Sequence, residues 1–322
     1  MRRLIIIGGG YLTIETAKLF KKKFDVLVIT SLRHSNEMIN NKKFKDYFKN
    51  LGIKFYIKSK LSSKFLINHF RKNAILMSIG SHWIIKKDVI KYFKGKTYNI
   101  HGTRLPQDRG GGGFSWQIMQ EKNIGYAVIH EINDKIDDGD IIFYKEFNYP
   151  ENSIPLERNN IYISKTLQLI KENMNFFLKD LQVKKLNQTP FFSIYWPRLN
   201  SFKQGWIDWK WGGRYINSFI KAFDDPYPGA KTMLNNNIIC LKKSFFENID
   251  GSFHPFQSGI IYRKTNKNLF VSVTDGTLKI SAIFNEKGKE LDIKNIKLGD
   301  RFFTPQKKLE KAMSVRAKYS SR

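Results

Sequence analysis

Residues 3–29 read RLIIIGGGYLTIETAKLFKKKFDVLVI, and this stretch sets the pattern of the first half of the chain. An Ile-rich run (residues 4–7) is followed by three glycines, a segment with apolar residues three to four positions apart (13–20) and a second apolar run (26–29). Short β-branched runs predict buried strands, and the three-to-four-residue spacing predicts a helix. The stretch therefore predicts a strand, a glycine turn, a helix and a second strand.

The same alternation continues beyond this stretch. Further strands are predicted at residues 53–57, 75–79, 98–100, 126–132 and 140–147, and further helices at residues 44–51, 65–70, 89–93, 114–119 and 153–181. Alternating strands and helices predict an α/β fold with a doubly wound, mainly parallel sheet. In such a sheet ligands bind outside the carboxyl ends of the strands, near the switch in strand order.

The patterning divides the 322 residues into four parts. Residues 1–185 carry the α/β pattern, and residues 186–206, interrupted by Pro190 and Pro197, are typical of a linker that lies back over the first domain. Short strand patterns in residues 207–306 predict a smaller, antiparallel, barrel-like domain. Residues 307–322 form a basic tail, for which a solvated, frayed terminus is expected.

The composition constrains partners and location. The formal net charge is +28, which ordinarily favours a polyanionic partner. Lysine is nevertheless spread through nearly every segment together with Asn and Ile, as a compositional bias would produce. The amino-terminal apolar run ends at Gly8, too short for a signal peptide or a membrane span, so a cytoplasmic protein is expected.

Metal binding is not indicated. The single cysteine, Cys240, excludes a disulfide within the chain and a thiolate-rich metal site. The histidines outside residue 101 have no carboxylate or cysteine at metal-ligand spacing. Four of them are interpreted as surface or core residues: His34, His82, His130 and His254. His69 is predicted in a helix, where the sequence shows no partner for it.

The residues most able to carry chemistry are Asn99, His101 and Asp137. When an amine attacks an acyl carbon, negative charge develops on the acyl oxygen and the nitrogen must lose a proton, so the site needs a donor and a base. Because side-chain direction repeats every second residue in a strand, Asn99 and His101 are predicted on one face, with Ile100 in the core. Asp137 would either hold His101 protonated or relay the proton.

These residues lie in motifs with a known counterpart. The order Asn-x-His (99–101), Leu-Pro-x-x-Arg-Gly (105–110) and Ile-Asp-x-Gly-x-Ile-Ile (136–142) resembles the formyltransferases that use N10-formyltetrahydrofolate. Downstream, Ile-Asp-Trp (207–209) and Asp-Pro-Tyr-Pro-Gly-Ala (225–230) resemble the carboxy-terminal module of tRNA and sugar formyltransferases. The resemblance implies formyl transfer to a primary amine, with no metal and with Asn99, His101 and Asp137 as catalytic residues.

The resemblance also implies binding residues. The residues expected to contact the folate are Gly80, Ile84, Ile85, Asp134 and Gly139. Those expected to contact the acceptor are Gly9, Gly10, Arg104, Trp116 and Tyr227. The triple glycine also suggests a dinucleotide site, but that fingerprint is incomplete, so an acceptor phosphate is the other possible ligand. Trp116, beside four consecutive glycines, is predicted either to stack on a base or to pack internally.

The catalytic loop bears on the acceptor. It reads His-Gly-Thr-Arg-Leu-Pro (101–106), whereas the methionyl-tRNA branch usually reads His-x-Ser-Leu-Leu-Pro. This departure favours a nucleotide-linked amino sugar of the kind used in surface polysaccharides. Methionyl-tRNA is the alternative, and a non-catalytic RNA-binding protein on a transferase scaffold is the third interpretation, weakened by the three catalytic positions. The sequence leaves the oligomeric state open, a homodimer included.

Overall fold

The computed structural model describes residues 1–71 and 73–316. The elements of the amino-terminal part are, in chain order, β1 (Arg3–Gly8), α1 (Tyr11–Lys21), β2 (Asp25–Ser31), α2 (Leu32–Ser35), β3 (Met38–Ile39), β4 (Lys42–Lys43), α3 (Phe44–Asn50), β5 (Lys54–Lys58), α4 (Ser63–Asn68), β6 (Ile75–Ile79), α5 (Lys87–Tyr92), β7 (Thr97–His101), β8 (Arg109–Gly110), α6 (Gly113–Met119), β9 (Ile124–Glu131), β10 (Ile141–Asn148), α7 (Pro155–Glu172) and α8 (Met174–Lys179).

The carboxy-terminal part follows in the same way. Its elements are β11 (Tyr195–Trp196), α9 (Ser201–Gln204), α10 (Gly213–Ala222), β12 (Ala230–Leu234), β13 (Asn237–Glu247), β14 (Ile261–Lys264), β15 (Leu269–Val273), β16 (Gly276–Asn285) and α11 (Gln306–Ser314), with 3-10 turns at Pro190–Phe192, Pro255–Gln257 and Ile293–Asn295.

A seven-stranded sheet organises the first part, in the order β10-β9-β7-β6-β1-β2-β5. The five strands from β7 to β5 are parallel, while β9 and β10 pair antiparallel with their neighbours. The chain runs outward from β1 to β2 and β5, then restarts on the other side of β1 with β6 and β7. The predicted doubly wound, mainly parallel sheet is confirmed, and its switch point lies between β1 and β6.

The Ile-rich run of β1 is apolar throughout because both faces of the sheet are covered. Leu4 and Ile6 belong to the apolar cluster beneath α1 and α7, whereas Ile5 and Ile7 belong to the cluster beneath α4 and α5. All four side chains are fully buried. Because side chains alternate along a strand, β1 contributes to the apolar clusters on both faces of the sheet.

The second part is an antiparallel sheet in the order β12-β13-β16-β15-β14. The segment 299–303 joins its two edges. The backbone of Phe303 exchanges hydrogen bonds with Met233 of β12 (2.9 and 3.1 Å), and Ile261 of β14 donates to Asp300 (2.8 Å). Closure through this segment gives the predicted barrel-like form.

Two predicted elements differ from the structure. The long helix predicted over residues 153–181 is two helices, α7 and α8, which meet at Asn173. The expected frayed tail is wrong for residues 307–314, which lie in α11. Leu309 and Ala312 of that helix are buried against Trp206, and this apolar contact holds the helix in place. Residues 317–322 of the predicted tail lie outside the described part of the chain.

Candidate active site

Strand β7 presents Asn99 and His101 at its carboxyl end, two strands from the switch point. Ile100 between them is only 4% exposed and belongs to the sheet core, as the alternation of side chains predicts. Asn99 and His101 therefore share the face on which Asp137 lies.

Asp137 lies on the turn between β9 and β10, with its backbone in the left-handed region (φ 49°). Its Oδ1 accepts a hydrogen bond from Asn99 Nδ2 (3.2 Å), and its Oδ2 accepts one from the backbone N–H of Gly110 (3.0 Å). The same Oδ2 is 3.8 Å from His101 Nδ1, which is longer than a hydrogen bond. The structure thus brings the three predicted catalytic residues together and leaves a gap between two of them.

Hydrogen bonds fix the orientation of the His101 ring. Its Nε2 lies 2.9 Å from the backbone oxygen of Asp108 and 2.6 Å from Thr103 Oγ1, which itself donates to the same oxygen (2.6 Å). A carbonyl oxygen only accepts, so Nε2 carries the proton and Nδ1 faces Asp137. Neutral His101 therefore offers Nδ1 as a base, and protonated His101 offers it as a donor.

His130 is a buried histidine, which is one of its two predicted interpretations, and it also contacts the site, which the sequence did not predict. It is 2% exposed and sits opposite Asn99 in the antiparallel pair of β7 and β9. Its Nδ1 is 2.7 Å from the backbone oxygen of Glu131, so Nδ1 donates and Nε2 accepts from Asn99 Nδ2 (3.0 Å). The pairing register of two strands, which no sequence motif encodes, creates this contact.

The environment of Asp137 favours its ionised form. Burial alone would raise the pKa of this carboxyl, but the neighbouring His101, the proximity of His130 and the hydrogen bond from the Gly110 N–H lower the pKa below its usual range. Asp137 is therefore a carboxylate at neutral pH. A carboxylate of such low basicity acts on its neighbours by its charge more effectively than by accepting a proton.

The lowered pKa of Asp137 has a consequence for stability. The folded chain binds fewer protons at Asp137 than the unfolded chain does, so this carboxylate stabilises the fold above the ordinary Asp pKa of about 3.9 and the contribution is lost as the pH falls below it. We expect the difference in free energy of unfolding between wild type and Asp137→Asn to shrink as the pH is lowered below about 3.9. Urea unfolding at a series of pH values measures it, and a difference independent of pH contradicts the assignment.

The residues predicted to bind folate lie on two neighbouring segments. An ion pair between Lys87 and Asp134 (2.6 Å) links the segment after β6 to the Asp137 turn. Gly80 and Ile84 are exposed, but the side chain of Ile85 is buried in the sheet core, so Ile85 can offer a ligand only its backbone. Gly139 fits closely against its own chain, because a Cβ there would lie 2.0 Å from the Glu131 oxygen.

The triple glycine is only partly free to bind an acceptor. The N–H of Gly9 already donates to the oxygen of Ile79 (3.2 Å), and the ring of His34 covers Gly9, where a Cβ would lie 2.3 Å from His34 Cγ. Burial, then the charges of Arg33 and other neighbours, lowers the pKa of His34 to about 4. Gly10, at the start of α1, has open space beside it.

The other predicted acceptor residues have contacts of their own within the protein. Trp116 packs against Trp196 (ring centroids 5.4 Å apart) and donates to the Pro197 oxygen (2.9 Å). Its half-buried ring also lines a cavity with Thr103 and Gly110, so both of its interpretations stay predictions. Arg104 lies over the ring of Tyr126. Tyr227 belongs to the loop after α10, whose backbone is bonded to the start of α7.

The described residues offer neither a clustered metal site nor a membrane-spanning helix. Residues 1–71 and 73–316 contain no group of three or more His, Cys, Asp or Glu side chains placed to hold a metal ion. Within those same ranges, no helix combines the length and apolar character needed to cross a membrane.

Comparisons with known proteins agree with this arrangement. Residues 201–301 match the family model for the formyl transferase C-terminal domain. The bifunctional polymyxin resistance protein ArnA of Wigglesworthia glossinidia brevipalpis is 29% identical over 238 residues, which cover 70% of this chain and 36% of ArnA. The methionyl-tRNA formyltransferase of Rickettsia canadensis is 24% identical over 251 residues, covering 77% of this chain and 79% of that protein. This chain thus spans little more than a third of ArnA.

Two solved structures share the fold over nearly their whole length. The sugar 3N-formyl transferase WlaRD, solved with dTDP and 5-N-formyl-THF, has a TM-score of 0.67 and 20% identity, covering 92% of this chain and 99% of WlaRD. The N-formyltransferase of Helicobacter canadensis, in complex with folinic acid and dTDP-3-aminofucose, has a TM-score of 0.67 and 20% identity, covering 90% and 100%. The predicted fold class and the predicted resemblance to formyltransferases are confirmed.

Proposed function

We propose that this chain, a member of the formyltransferase family, transfers a formyl group from N10-formyltetrahydrofolate to the primary amine of a nucleotide-linked amino sugar. The observation that carries the proposal is the convergence of Asn99, His101 and Asp137 at the carboxyl end of β7, the second strand from the switch point of the sheet. An amide, an imidazole and a carboxylate in one place supply the groups that acyl transfer to an amine requires.

His101 is the centre of this proposed chemistry. As the amine attacks the formyl carbon, charge develops on the formyl oxygen, and protonated His101 would donate to that oxygen through Nδ1. When the bond from the formyl carbon to N10 of the folate breaks, His101 would give its Nδ1 proton to N10 and take up the proton that the amine releases. The carboxylate of Asp137, 3.8 Å away, attracts a protonated ring without forming a hydrogen bond to Nδ1, which stays available to the reacting group. The gap between them is where a reacting group can meet both residues. We therefore propose the first of its two predicted roles for Asp137, which would act mainly by its charge on His101.

Asn99 has a more specific orientation than the sequence indicates. Its Nδ2 faces both Asp137 Oδ1 (3.2 Å) and His130 Nε2 (3.0 Å), so both amide hydrogens have partners. The oxygen Oδ1 is the end turned away from these two residues, where it can accept a hydrogen bond from the N–H of the incoming amine. In this arrangement Asn99 would orient the attacking amine. It could stabilise the oxyanion only if one of its Nδ2 hydrogens were shared between the oxyanion and its present partner.

The formyl donor would lie across the two segments that flank the site. Gly80, Ile84 and the backbone of Ile85 stand on one segment, and Asp134 and Gly139 on the other, joined by the Lys87–Asp134 ion pair. Folate would supply the activated formyl group, and these residues would hold its ring system. Their contacts with folate stay a prediction.

Two observations support a sugar nucleotide as the acceptor. The catalytic loop departs from the usual sequence of the methionyl-tRNA branch at two positions, where Thr103 replaces Ser and Arg104 replaces Leu. The two solved proteins that share the fold over their full length were crystallised with dTDP or a dTDP-linked amino sugar. Methionyl-tRNA is the second candidate, favoured by the net charge of +28 and by the relatives that carry that activity in their names.

Salt separates the two acceptors. A tRNA contacts a protein through many phosphates, and each neutralised phosphate steepens the loss of affinity with rising salt, with a slope of about −0.7 to −0.9 per phosphate. For a sugar nucleotide with two phosphates we expect the slope of log affinity against log salt to stay near about −2 or shallower. Titration calorimetry with one dTDP-amino sugar measures it. Tight, steeply salt-dependent binding of charged initiator tRNA, with no binding of the sugar nucleotide, contradicts the proposal.

A further inference from the structure

Residues 186–197, the first part of the predicted linker, lie against both sides of the catalytic site; we refer to them as the linker segment. At its start, Leu186 and Ile141 exchange two backbone hydrogen bonds (2.9 Å each), which attaches the segment to the end of the Asp137 turn. Towards its end, β11 pairs in parallel with β8, and the N–H of Gly110 in β8 donates to Asp137.

Gln188 occupies the centre of the contact with the Asp137 turn. Its Nε2 donates to the backbone oxygens of Asp137 (2.9 Å) and Gly139 (2.7 Å). Its Oε1 accepts from Arg109 Nε (3.2 Å) and Nη2 (2.9 Å), and Arg109 also pairs with Asp138. Gln188 is only 9% exposed, so its whole amide is used inside the protein.

This network bears on the conformation of the catalytic carboxylate. Asp137 has a φ of 49°, a left-handed backbone that Asp adopts more readily than most residues with a side chain but that still costs free energy relative to the right-handed or extended regions. The two backbone oxygens that receive hydrogen bonds from Gln188 are those of Asp137 and of the residue two positions on. The hydrogen bonds therefore brace the part of the turn that aims the carboxylate at Asn99 and His101.

The other end of the linker segment contacts the loop that orients His101. Trp196 Nε1 donates to Asp108 Oδ1 (3.1 Å), and Asp108 is the residue whose backbone oxygen orients His101. The backbone oxygen of Trp196 accepts from Gly111 (3.0 Å). The linker segment thus contacts both the loop that holds His101 and the turn that carries Asp137.

We infer that Gln188 is a positioning residue for formyl transfer, which holds the Asp137 turn in its left-handed conformation through its two amide hydrogens. The inference rests on the proposed function for its effect on rate. It assigns to a residue outside the catalytic motifs a direct part in the alignment of the catalytic residues.

The test compares three variants. Gln188→Met keeps the bulk and removes every hydrogen bond, whereas Gln188→Glu keeps an acceptor for Arg109 and removes the hydrogens offered to the turn. Asn187→Ala, which removes a neighbouring exposed contact with Asp140 (2.7 Å), is the control. We expect both Gln188 variants to lower kcat by about ten- to a hundredfold with little change in the KM for N10-formyltetrahydrofolate, since small misplacements of reacting groups carry penalties of that order. The control should match wild type.

A second readout does not depend on activity. Carboxyl-carbon NMR follows the ionisation of Asp137, whose pKa is held below its usual range in the folded protein. In both Gln188 variants we expect Asp137 to titrate nearer its usual range, because the carboxylate no longer faces His101 and His130. Circular dichroism identifies any variant that fails to fold, and the other variant then decides.

The outcomes are distinguishable. Wild-type kcat in folded Gln188→Glu, or an Asp137 titration unchanged in both Gln188 variants, overturns the positioning role. If wild type transfers no formyl group to any amine, the proposed function fails, and the Asp137 titration alone then decides whether Gln188 positions the turn.

Discussion

Replacing His101 with alanine is expected to lower kcat by about 10²–10³-fold, the usual effect of removing a group that stabilises an oxyanion. Nε2 of the ring is bonded to the Asp108 oxygen, and Nδ1 is directed at the gap beside Asp137. Neither Asn99 nor Asp137 can therefore replace Nδ1 as the donor to the formyl oxygen. Stopped assays at saturating substrate, with the product measured by mass spectrometry, give kcat directly.

Asn99→Ala and Asp137→Ala are expected to cause losses of the same order, because each removes a group that faces the same gap. His254→Ala is the control, since His254 is a side chain of the second domain, remote in the chain from the catalytic motifs. The three catalytic losses should not multiply in the combined variant, because the groups act as one unit. Full activity in all three single variants refutes the assignment of the site.

Gly8→Ala is expected to destabilise the fold more than an alanine placed at a glycine with open space around it. Gly8 ends β1 with φ 139°, and a Cβ there would lie 1.8 Å from the backbone oxygen of Ile79 on the neighbouring strand. Neither backbone can move away without breaking the parallel pair. Crowding of this kind costs about 1–3 kcal/mol, and the backbone conformation adds about 1–3 kcal/mol.

Gly52→Ala separates these two contributions. Gly52 also has a positive φ (60°), but no atom lies within 4 Å of the position its Cβ would take. We therefore expect this variant to lose only about 1–2 kcal/mol, the usual backbone contribution. Urea unfolding of both variants beside wild type measures the difference. Equal losses in the two variants would mean that crowding at the β1–β6 junction contributes nothing.

Much of the fold follows from local patterns that act over a few residues. The strands and helices of the first domain follow from apolar spacing, and the shared face of Asn99 and His101 follows from the period of two in a strand. The glycines after Arg109 have a role that local patterns do not specify. Gly110 admits the linker backbone, because its Cβ would lie 2.2 Å from the Trp196 oxygen.

Contacts between segments distant in the chain could not be predicted in this way. His130 meets Asn99 because β7 and β9 pair in one particular register, and Gln188 meets the Asp137 turn because the linker segment folds back across it. The docking of α11 depends on Trp206, which precedes it by the whole of the second sheet. Single-sequence patterns carry no record of which distant residues become neighbours.

The most direct test of the central claim is to incubate the purified protein with N10-formyltetrahydrofolate and, in parallel, with dTDP-linked amino sugars and charged initiator tRNA. Mass spectrometry then detects a formyl-sized gain on each acceptor. We predict a gain on a sugar nucleotide that is lost in the His101→Ala variant. A gain on the tRNA alone, or no gain on any amine, contradicts the proposed function.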